Sequence, residues 1–514
     1  MILLKLLFIM ETLQFCFAYK ILLVFPIPGG SHAILGEGYV RHLVEAGHEV
    51  TYITPLPRLK AMPNLRQIDV SANFELSLLD IINVEKLMKK EVDLKNLFHF
   101  KELMLTFANA TITNPNVRKI MDDPKEKFDA VIVEWLYTEV YSGFSSLFGC
   151  PLIWSSSMDP HTMVLWLIDE APNAAYTPDI ICPENLLNFW QRVKNLWILL
   201  QRMLLLWSKL SKETSIYNEG FGPSADKRGV KLSPLTEVMY NGSLMLGNSH
   251  VSLGQAMTLP QNYKPILGYH IPETIPDLPK NLQQIMDNAT HGVIYFSMGS
   301  MLKSKTIPLE IKKGLLAMFG ELKQTVLWKF EEELSDLPKN VHIVQWAPQQ
   351  SILAHSNCFL FITHGGLLSL TEAIHFGVPV IGVPMFADQF SNIDRAVGKG
   401  FAKRVDLDWD FVTNVKNAID DMTADSRYRD TANELSFIYH NRVASPGAEL
   451  VHWVEHVVLT RGAPHLRSPA IDVPFYQKLY LDLAAIIVAV IVTLMIVVQR
   501  IRRKKVNQRK QKKN

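Results

Sequence analysis

Residues 345–400, QWAPQQSILAHSNCFLFITHGGLLSLTEAIHFGVPVIGVPMFADQFSNIDRAVGKG, decide the fold of this 514-residue chain. Residues 359–363 form a short unbroken apolar run, the pattern of a strand buried on both faces. His364-Gly365-Gly366 follows at once, and residues 367–376 read as a helix. A glycine turn between strand and helix lets backbone N–H groups approach an anion, and the helix dipole favours negative charge there. Ser369 and Glu372 stand three apart, so both fall on one face of the first helical turns. Ser369 can donate to a phosphate oxygen, whereas Glu372 suits the two hydroxyls of a ribose. Trp346, a loop earlier, offers a flat face for a base. Asp388-Gln389 follows a second strand, residues 378–383, at its carboxyl end, where open parallel sheets bind ligands. A carboxylate beside an amide suits sugar hydroxyls. Singly these parts read as a turn, a core tryptophan and a solvated glutamate. At this fixed spacing they point to a nucleotide diphosphate with a group attached.

The run resembles the signature of the UDP-glycosyltransferases, the membrane-bound glucosyl- and glucuronosyltransferases of animal endoplasmic reticulum, and looks most like the insect members. The pattern W-x-P-Q, T-H-G-G, E-A, G-V-P, D-Q-x-x-N is matched by Trp346, Pro348 and Gln349, by Thr363 to Gly366, by Glu372 and Ala373, by Gly377 to Pro379, and by Asp388, Gln389 and Asn392. The resemblance covers nearly the whole chain. It implies that Trp346 stacks on uracil and that Gln349 and Glu372 hold the ribose. It implies that His364, Gly366 and Ser369 hold the diphosphate, and that Asp388 and Gln389 hold the sugar. A UDP-sugar is then the co-substrate, with no further cofactor. One departure stands out: Leu368 occupies a position where many members carry Asn, which removes a polar contact near the diphosphate or sugar.

Composition is that of a globular protein, 48% hydrophobic and 20% charged, with a net charge of +2. Nine of the last fifteen residues, 500–514, are Lys or Arg and none is acidic, so the body is mildly acidic. Nothing in that balance marks a nucleic-acid-binding surface. Outside the leader only Cys150, Cys182 and Cys358 remain, too few for a disulfide framework and without metal-ligand spacing. A single Cys150–Cys182 bridge and three buried thiols both fit.

Residues 1–18 read as a signal peptide, with Lys5 in the positive region, apolar residues after it and Ala18 at the cut. Residues 479–498 are apolar apart from Tyr480, Asp482 and Thr493, and about twenty such residues span a bilayer core of roughly 30 Å. The basic tail, 499–514, sets its own side as cytoplasmic. Leader and late span predict a single-pass type I protein of the endoplasmic reticulum membrane with its catalytic body lumenal. Sequons at Asn109, Asn241 and Asn288 fall on that side, and Lys510-Gln-Lys512-Lys-Asn fits a K-x-K-x-x retrieval signal. Whether copies associate into a homo-oligomer is left open.

The start of the body alternates strand 21–25, helix 31–46 and strand 50–53, a βαβ unit that implies a parallel sheet. Residues 128–133 and 152–155 read as later strands of the same sheet. A second set follows at 293–296, 325–328, 341–344, 359–363 and 378–383. The expectation is an α/β chain with two doubly wound, Rossmann-like domains facing across a cleft, which matches the B-type glycosyltransferase fold of the resembled family, plus one C-terminal transmembrane helix. An acceptor-binding domain spans 19–265 and a UDP-sugar-binding domain 280–475, with the linker in the proline-rich stretch 260–279. Residues 188–210 repeat apolar side chains at helical spacing. That amphipathic helix either packs on the acceptor side of the first domain or touches a membrane surface.

Transfer of a sugar to a hydroxyl calls for a base, because an alcohol attacks poorly without losing its proton. His32 follows the first strand and opens the first helix at the carboxyl edge of the sheet. A helix N-terminus disfavours imidazolium, so the ring is expected neutral. An acid should orient it. The resemblance places an Asp at the end of a strand written F-D-x-x-x-x-D; here Phe128-Asp129-Ala-Val-Ile-Val-Glu134 stands in that frame, so the acid is Glu134. The implied reaction is inverting transfer of a hexose, glucose before other sugars, to a small lipophilic acceptor. UDP leaves against the helix at Gly366 and the Gly299-Ser300 turn, with fixed dipoles and no metal site taking the charge. The rivals are a hydrolysing epimerase of like architecture, a catalytically silent membrane-bound binding protein, and a sphingolipid-directed transferase.

Overall fold

The computed structural model describes residues 18–76, 84–89, 97–168, 179, 188–299, 306–332 and 334–511. The body of the expected leader, Cys182, Ser300 and the last three tail residues lie outside these.

Two parallel sheets organise the chain. The first holds β1 (Lys20–Val24), β2 (Glu49–Thr54), β3 (Leu65–Asp69), β4 (Ala130–Trp135), β5 (Leu152–Ser156), β6 (Gly242–Gly247) and β7 (Tyr263–Pro265), in the order β3-β2-β1-β4-β5-β6-β7. The second holds β8 (Val293–Ser297), β9 (Thr325–Lys329), β10 (Val341–Val344), β11 (Cys358–Thr363), β12 (Val380–Gly382) and β13 (Ala402–Arg404), in the order β10-β9-β8-β11-β12-β13. Both run outward from a first strand and then reverse, the doubly wound order whose reversal point opens a crevice at the strands' carboxyl ends. In the first sheet that point lies between β1 and β4, paired from Ile21–Ala130 to Val24–Val133. In the second it lies between β8 and β11.

The central strands are apolar because helices cover both faces: β1 is buried from Ile21 on, and β4, β5, β6 and β8 throughout. The strand expected at 128–133 forms two residues later. Asp129 accepts the Lys20 backbone N–H at 2.7 Å, at the amino end of β1, so the ladder starts after it and runs on to Trp135. Strands β3 and β13 are short edges with half-polar sequences, LRQID and AKR, and give no apolar run to detect.

Seven helices matter to the site and its surroundings: α1 (Gly30–Glu45), α2 (Leu97–Thr113), α3 (Phe189–Arg228), α4 (Leu367–His375), α5 (Gln389–Lys399), α6 (Pro446–Leu459) and α7 (Leu481–Gln511). Helix α3 is 40 residues long, opened by a capping box between Asn188 and Gln191. It continues beyond the apolar repeat of 188–210 because its second half packs in the core: Tyr217 and Phe221 are fully buried. A Cβ at Gly220 would meet Ile112 of α2 at 2.1 Å, so the two helices touch where only glycine fits. Its first half buries Asn195, Arg202, Met203 and Leu205 but leaves an apolar stripe uncovered. Phe189, Trp190, Val193, Leu196, Trp197, Leu200, Leu204 and Trp207 are all exposed, Trp190 at 75%. At about 100° per residue these eight fall on one stripe of the helix.

Helix α6 returns to the first sheet: Leu450, Val454 and Val457 join the core built around Ile21, Leu23, Tyr39 and Leu43. Leu368 packs against that same core. The side chain that replaces the polar residue of the resembled pattern therefore makes an apolar contact across the two halves. Helix α7 is exposed along its length and is long and apolar enough to cross a membrane. Cys150 and Cys358 are buried free thiols, each pushed up to about 12 by burial.

Candidate active site in the cleft

A cleft of about 1040 Å³ runs between the carboxyl edges of the two sheets. His32, from the first turn of α1, lines it together with Trp346, Gln349, His364, Gly366, Ser369, Glu372, Asp388 and Gln389. Ser300 lies outside the described residues, but its neighbour Gly299 lines the same cleft.

Strand β1 delivers the chain to α1, and the neighbouring β4 carries Glu134 one residue before its end. His32 Nδ1 lies 2.5 Å from Glu134 Oε1. The glutamate side chain is fully buried, and the imidazole is 15% exposed, toward the cleft. Glu134 Oε2 has no hydrogen-bond partner among the described residues, so the carboxylate serves His32. Burial opposes the imidazolium, but the charge and hydrogen bond of Glu134, with Asp388 adding to them, outweigh it and raise the His32 pKa above 6.5. The helix dipole, expected to disfavour the imidazolium, is thus outweighed. A buried carboxylate at contact distance exceeds the dipole's effect of about 0.3–1 kcal/mol.

In the other half, Glu372 is buried and its two oxygens accept from Gln349 Nε2 at 2.6 Å and Gln350 Nε2 at 2.9 Å. Gln349 also donates to Ser369 Oγ at 3.2 Å. The Trp346 indole is 67% exposed and lines the cleft beside them. His364 is half-buried and pushed down to about 4, first by burial and then by Lys329, so it is neutral. Its ring is clasped by glycines: a Cβ at Gly299 would lie 2.5 Å from Cε1, and one at Gly366 2.6 Å from Nε2. Gly299 and Gly365 also adopt φ of +79° and +82°, which side chains disfavour.

Asp388 follows Ala387, a non-glycine residue at φ +54°. Burial raises the Asp388 pKa against a hydrogen bond from Asn392. Gln389 is turned inward: its Oε1 accepts the backbone N–H groups of Met385 and Phe386 at 2.9 and 3.2 Å. Its carbonyl braces the strained turn, and only the amide end is left for a ligand.

Three contributors were not foreseen. Lys329 ends β9, lines the cleft and donates to the Gly299 carbonyl at 2.7 Å. A lysine closing the apolar run TVLWK at a carboxyl edge was the signal for it. His270, from the segment joining the two halves, is buried with Nε2 3.4 Å from Glu372 Oε1. The apolar wall facing His32 comes from α2, through Leu97, Phe100, Leu103, Met104 and Phe107, with Tyr137 beyond β4. Of the helix expected to build that wall, α3, only Arg202 lines the cleft.

Residues 20–514 match the family model described as UDP-glucoronosyl and UDP-glucosyl transferase. UDP-glycosyltransferase UGT5 of Dactylopius coccus is 33% identical over 494 residues, which is 94% of this chain and 91% of that protein. UDP-glucosyltransferase 2 of the same insect is 34% identical over 470 residues, 90% of this chain and 88% of that protein. The crystal structure of CalG4, the calicheamicin glycosyltransferase, superposes with a TM-score of 0.55 at 18% identity, covering 87% of this chain and 100% of its own. That likeness is one of fold, the two-domain B-type glycosyltransferase architecture.

Proposed function

The chain belongs to the UDP-glycosyltransferase family and is a glycosyltransferase using a UDP-sugar, and on that premise we propose that it moves glucose, with inversion, to a hydroxyl of a small lipophilic acceptor with His32 as general base. The observation that carries this reading is the His32–Glu134 pair, opening into the same cleft as Trp346, Gln349 and Glu372.

Nδ1 of His32 donates to Glu134, which leaves Nε2 to take the acceptor's proton as the new bond forms. Glu134 steadies the imidazolium that results, as the buried acid does in other histidine–carboxylate pairs. The hydroxyl attacks the anomeric carbon opposite UDP, so an α-linked donor gives a β-glycoside. Trp346 stacks on the base, and Gln349 and Glu372 hold the ribose. The N-terminus of α4, His364, Ser369 and Lys329 receive the diphosphate, and Asp388 with the amide of Gln389 holds the sugar. Residues 249–263 carry no Arg or Lys to meet a glucuronate carboxylate, which favours glucose. The aromatic and aliphatic wall of α2 suits a flat apolar acceptor such as a phenol.

Helix α7 anchors the chain in the endoplasmic reticulum membrane with the cleft lumenal, and the exposed stripe of α3, with its three tryptophans, lies on the bilayer surface. Microsomes carrying the full chain, permeabilised and offered UDP-glucose or UDP-glucuronate with a panel of phenols, test the reading. β-Glucosides should form and glucuronides should not. Glucuronide as the main product would reverse the donor assignment, and UDP release without any glycoside would remove the transferase reading.

A further inference from the structure

Asp159 lies just beyond β5 in the first half of the molecule, with its side chain 10% exposed. A carboxylate so placed is costly unless paired. Its partner comes from the other half: Arg395 on α5 puts Nη1 2.6 Å from Asp159 Oδ2. No hydrogen bond within the first half serves Asp159 Oδ1 or Oδ2 among the described residues. The guanidinium continues inward. Arg395 Nη2 donates to Asn392 Oδ1 at 2.7 Å, and Asn392 Nδ2 donates to Asp388 Oδ2 at 2.8 Å. The same amide nitrogen reaches the Gly365 carbonyl at 3.2 Å. An unbroken polar chain therefore runs from the first sheet to the Asp388 carboxylate and the His364-Gly365-Gly366 turn. Lys399, one turn further along α5, donates to the Val251 carbonyl in the first half at 3.0 Å. Helix α5 is thus pinned to the first domain at two points, and the pin next to Asp388 is ionic.

We infer that Asp159 is a positioning residue: through Arg395 and Asn392 it aims the Asp388 carboxylate at the donor's sugar, so that sugar recognition requires the two halves to be closed. The inference rests on the assignment of Asp388 to the sugar. Asn392 accepts from Arg395 with one end of its amide and donates to Asp388 with the other. Its flip state, and hence the direction in which Asp388 points, is set by the guanidinium. Separating the halves would strand Asp159 without its partner and leave Arg395 with Asn392 alone, so closure and the aim of Asp388 are coupled. Uridine contacts do not pass through this chain, and it meets the diphosphate turn at the Gly365 carbonyl, whereas the diphosphate is assigned to His364, Gly366 and Ser369.

The discriminating measurement is calorimetric titration of the full-length protein in detergent with UDP-glucose and, separately, with UDP. Asp159→Asn should weaken UDP-glucose about tenfold while changing UDP by less than about twofold. Arg395→Gln should show the same selective loss, and serves if Asp159→Asn does not fold, as judged by its melting curve. On an Asp388→Asn background, Asp159→Asn should add no further loss, because the effect acts through that carboxylate. Equal weakening of UDP and UDP-glucose would reduce the pair to a structural brace, and additive losses in the double variant would break the relay. If Asp388→Asn alone leaves UDP-glucose binding intact, the sugar assignment beneath the inference fails instead.

Discussion

Replacing Glu134 by Gln keeps the shape of the side chain and removes its charge, and the structure sets what should follow. The lost interaction is a charge-assisted contact of 2.5 Å from a fully buried carboxylate to the base itself. Such bonds contribute about 1.5–3 kcal/mol, and here the full difference falls on the protonated ring that exists only once the acceptor has surrendered its proton. A loss of about 10- to 100-fold in kcat is expected, with the KM for UDP-sugar unchanged because the donor cradle lies in the other half. The pH profile carries the sharper signature. Neutral His32 is the active form, so the rate climbs as pH rises through its pKa, which Glu134 holds above 6.5. Without the carboxylate, burial acts with less opposition and the acid limb moves to lower pH. The pair also stabilises the fold; that contribution is full below about pH 6.5 and fades as pH rises through the elevated pKa. Initial rates of glucosyl transfer to a phenol between pH 5 and 9 read both effects. An acid limb that does not move, or a rate within about threefold of the parent, would refute the role given to the pair.

Other substitutions probe the rest of the cleft. Trp346→Ala should leave the melting temperature nearly unchanged, since the indole is 67% exposed, while UDP affinity measured by calorimetry falls about ten- to a hundredfold. Gly366→Ala introduces a methyl group 2.6 Å from the half-buried His364 ring without straining the backbone; donor KM should rise about tenfold with acceptor KM unaltered. Lys101, fully buried, donates to Glu139, Glu213 and the Tyr137 carbonyl, so Lys101→Met should cost about 3–5 kcal/mol in denaturant unfolding at neutral pH. That cost should shrink toward pH 5, because Glu213 already titrates near 7 and a protonated carboxyl tolerates the loss of its cation.

The parts of the molecule that were legible in the sequence are those with local signals. The buried strands of both sheets announce themselves as apolar runs, and the turn at His364-Gly365-Gly366 shows in its glycines. His32 shows in its place after the first readable strand, whereas Glu134 is reached through the F-D-x-x-x-x-D frame of the resembled family; the two strands prove to be neighbours. What the sequence hid are relations between distant segments. Asp159 and Arg395 are separated by more than two hundred residues and look like ordinary surface charges until the two sheets face each other. The Gln389 carbonyl looked free for a ligand, yet a turn strained at Ala387 uses it. Helix α3 could be seen to be amphipathic, but periodicity alone does not say which face is covered. In the fold Met203 and Leu205 of its first half are buried as well as Gly220 and Phe221 of its second, while the apolar stripe through Trp190, Trp197 and Trp207 is left outside.

His32→Ala carries the most direct test. In the full-length chain with saturating UDP-glucose and a phenol acceptor, kcat should fall by about three orders of magnitude while UDP binds with parental affinity. Turnover that survives the loss of the imidazole would contradict the account, however well the donor is held.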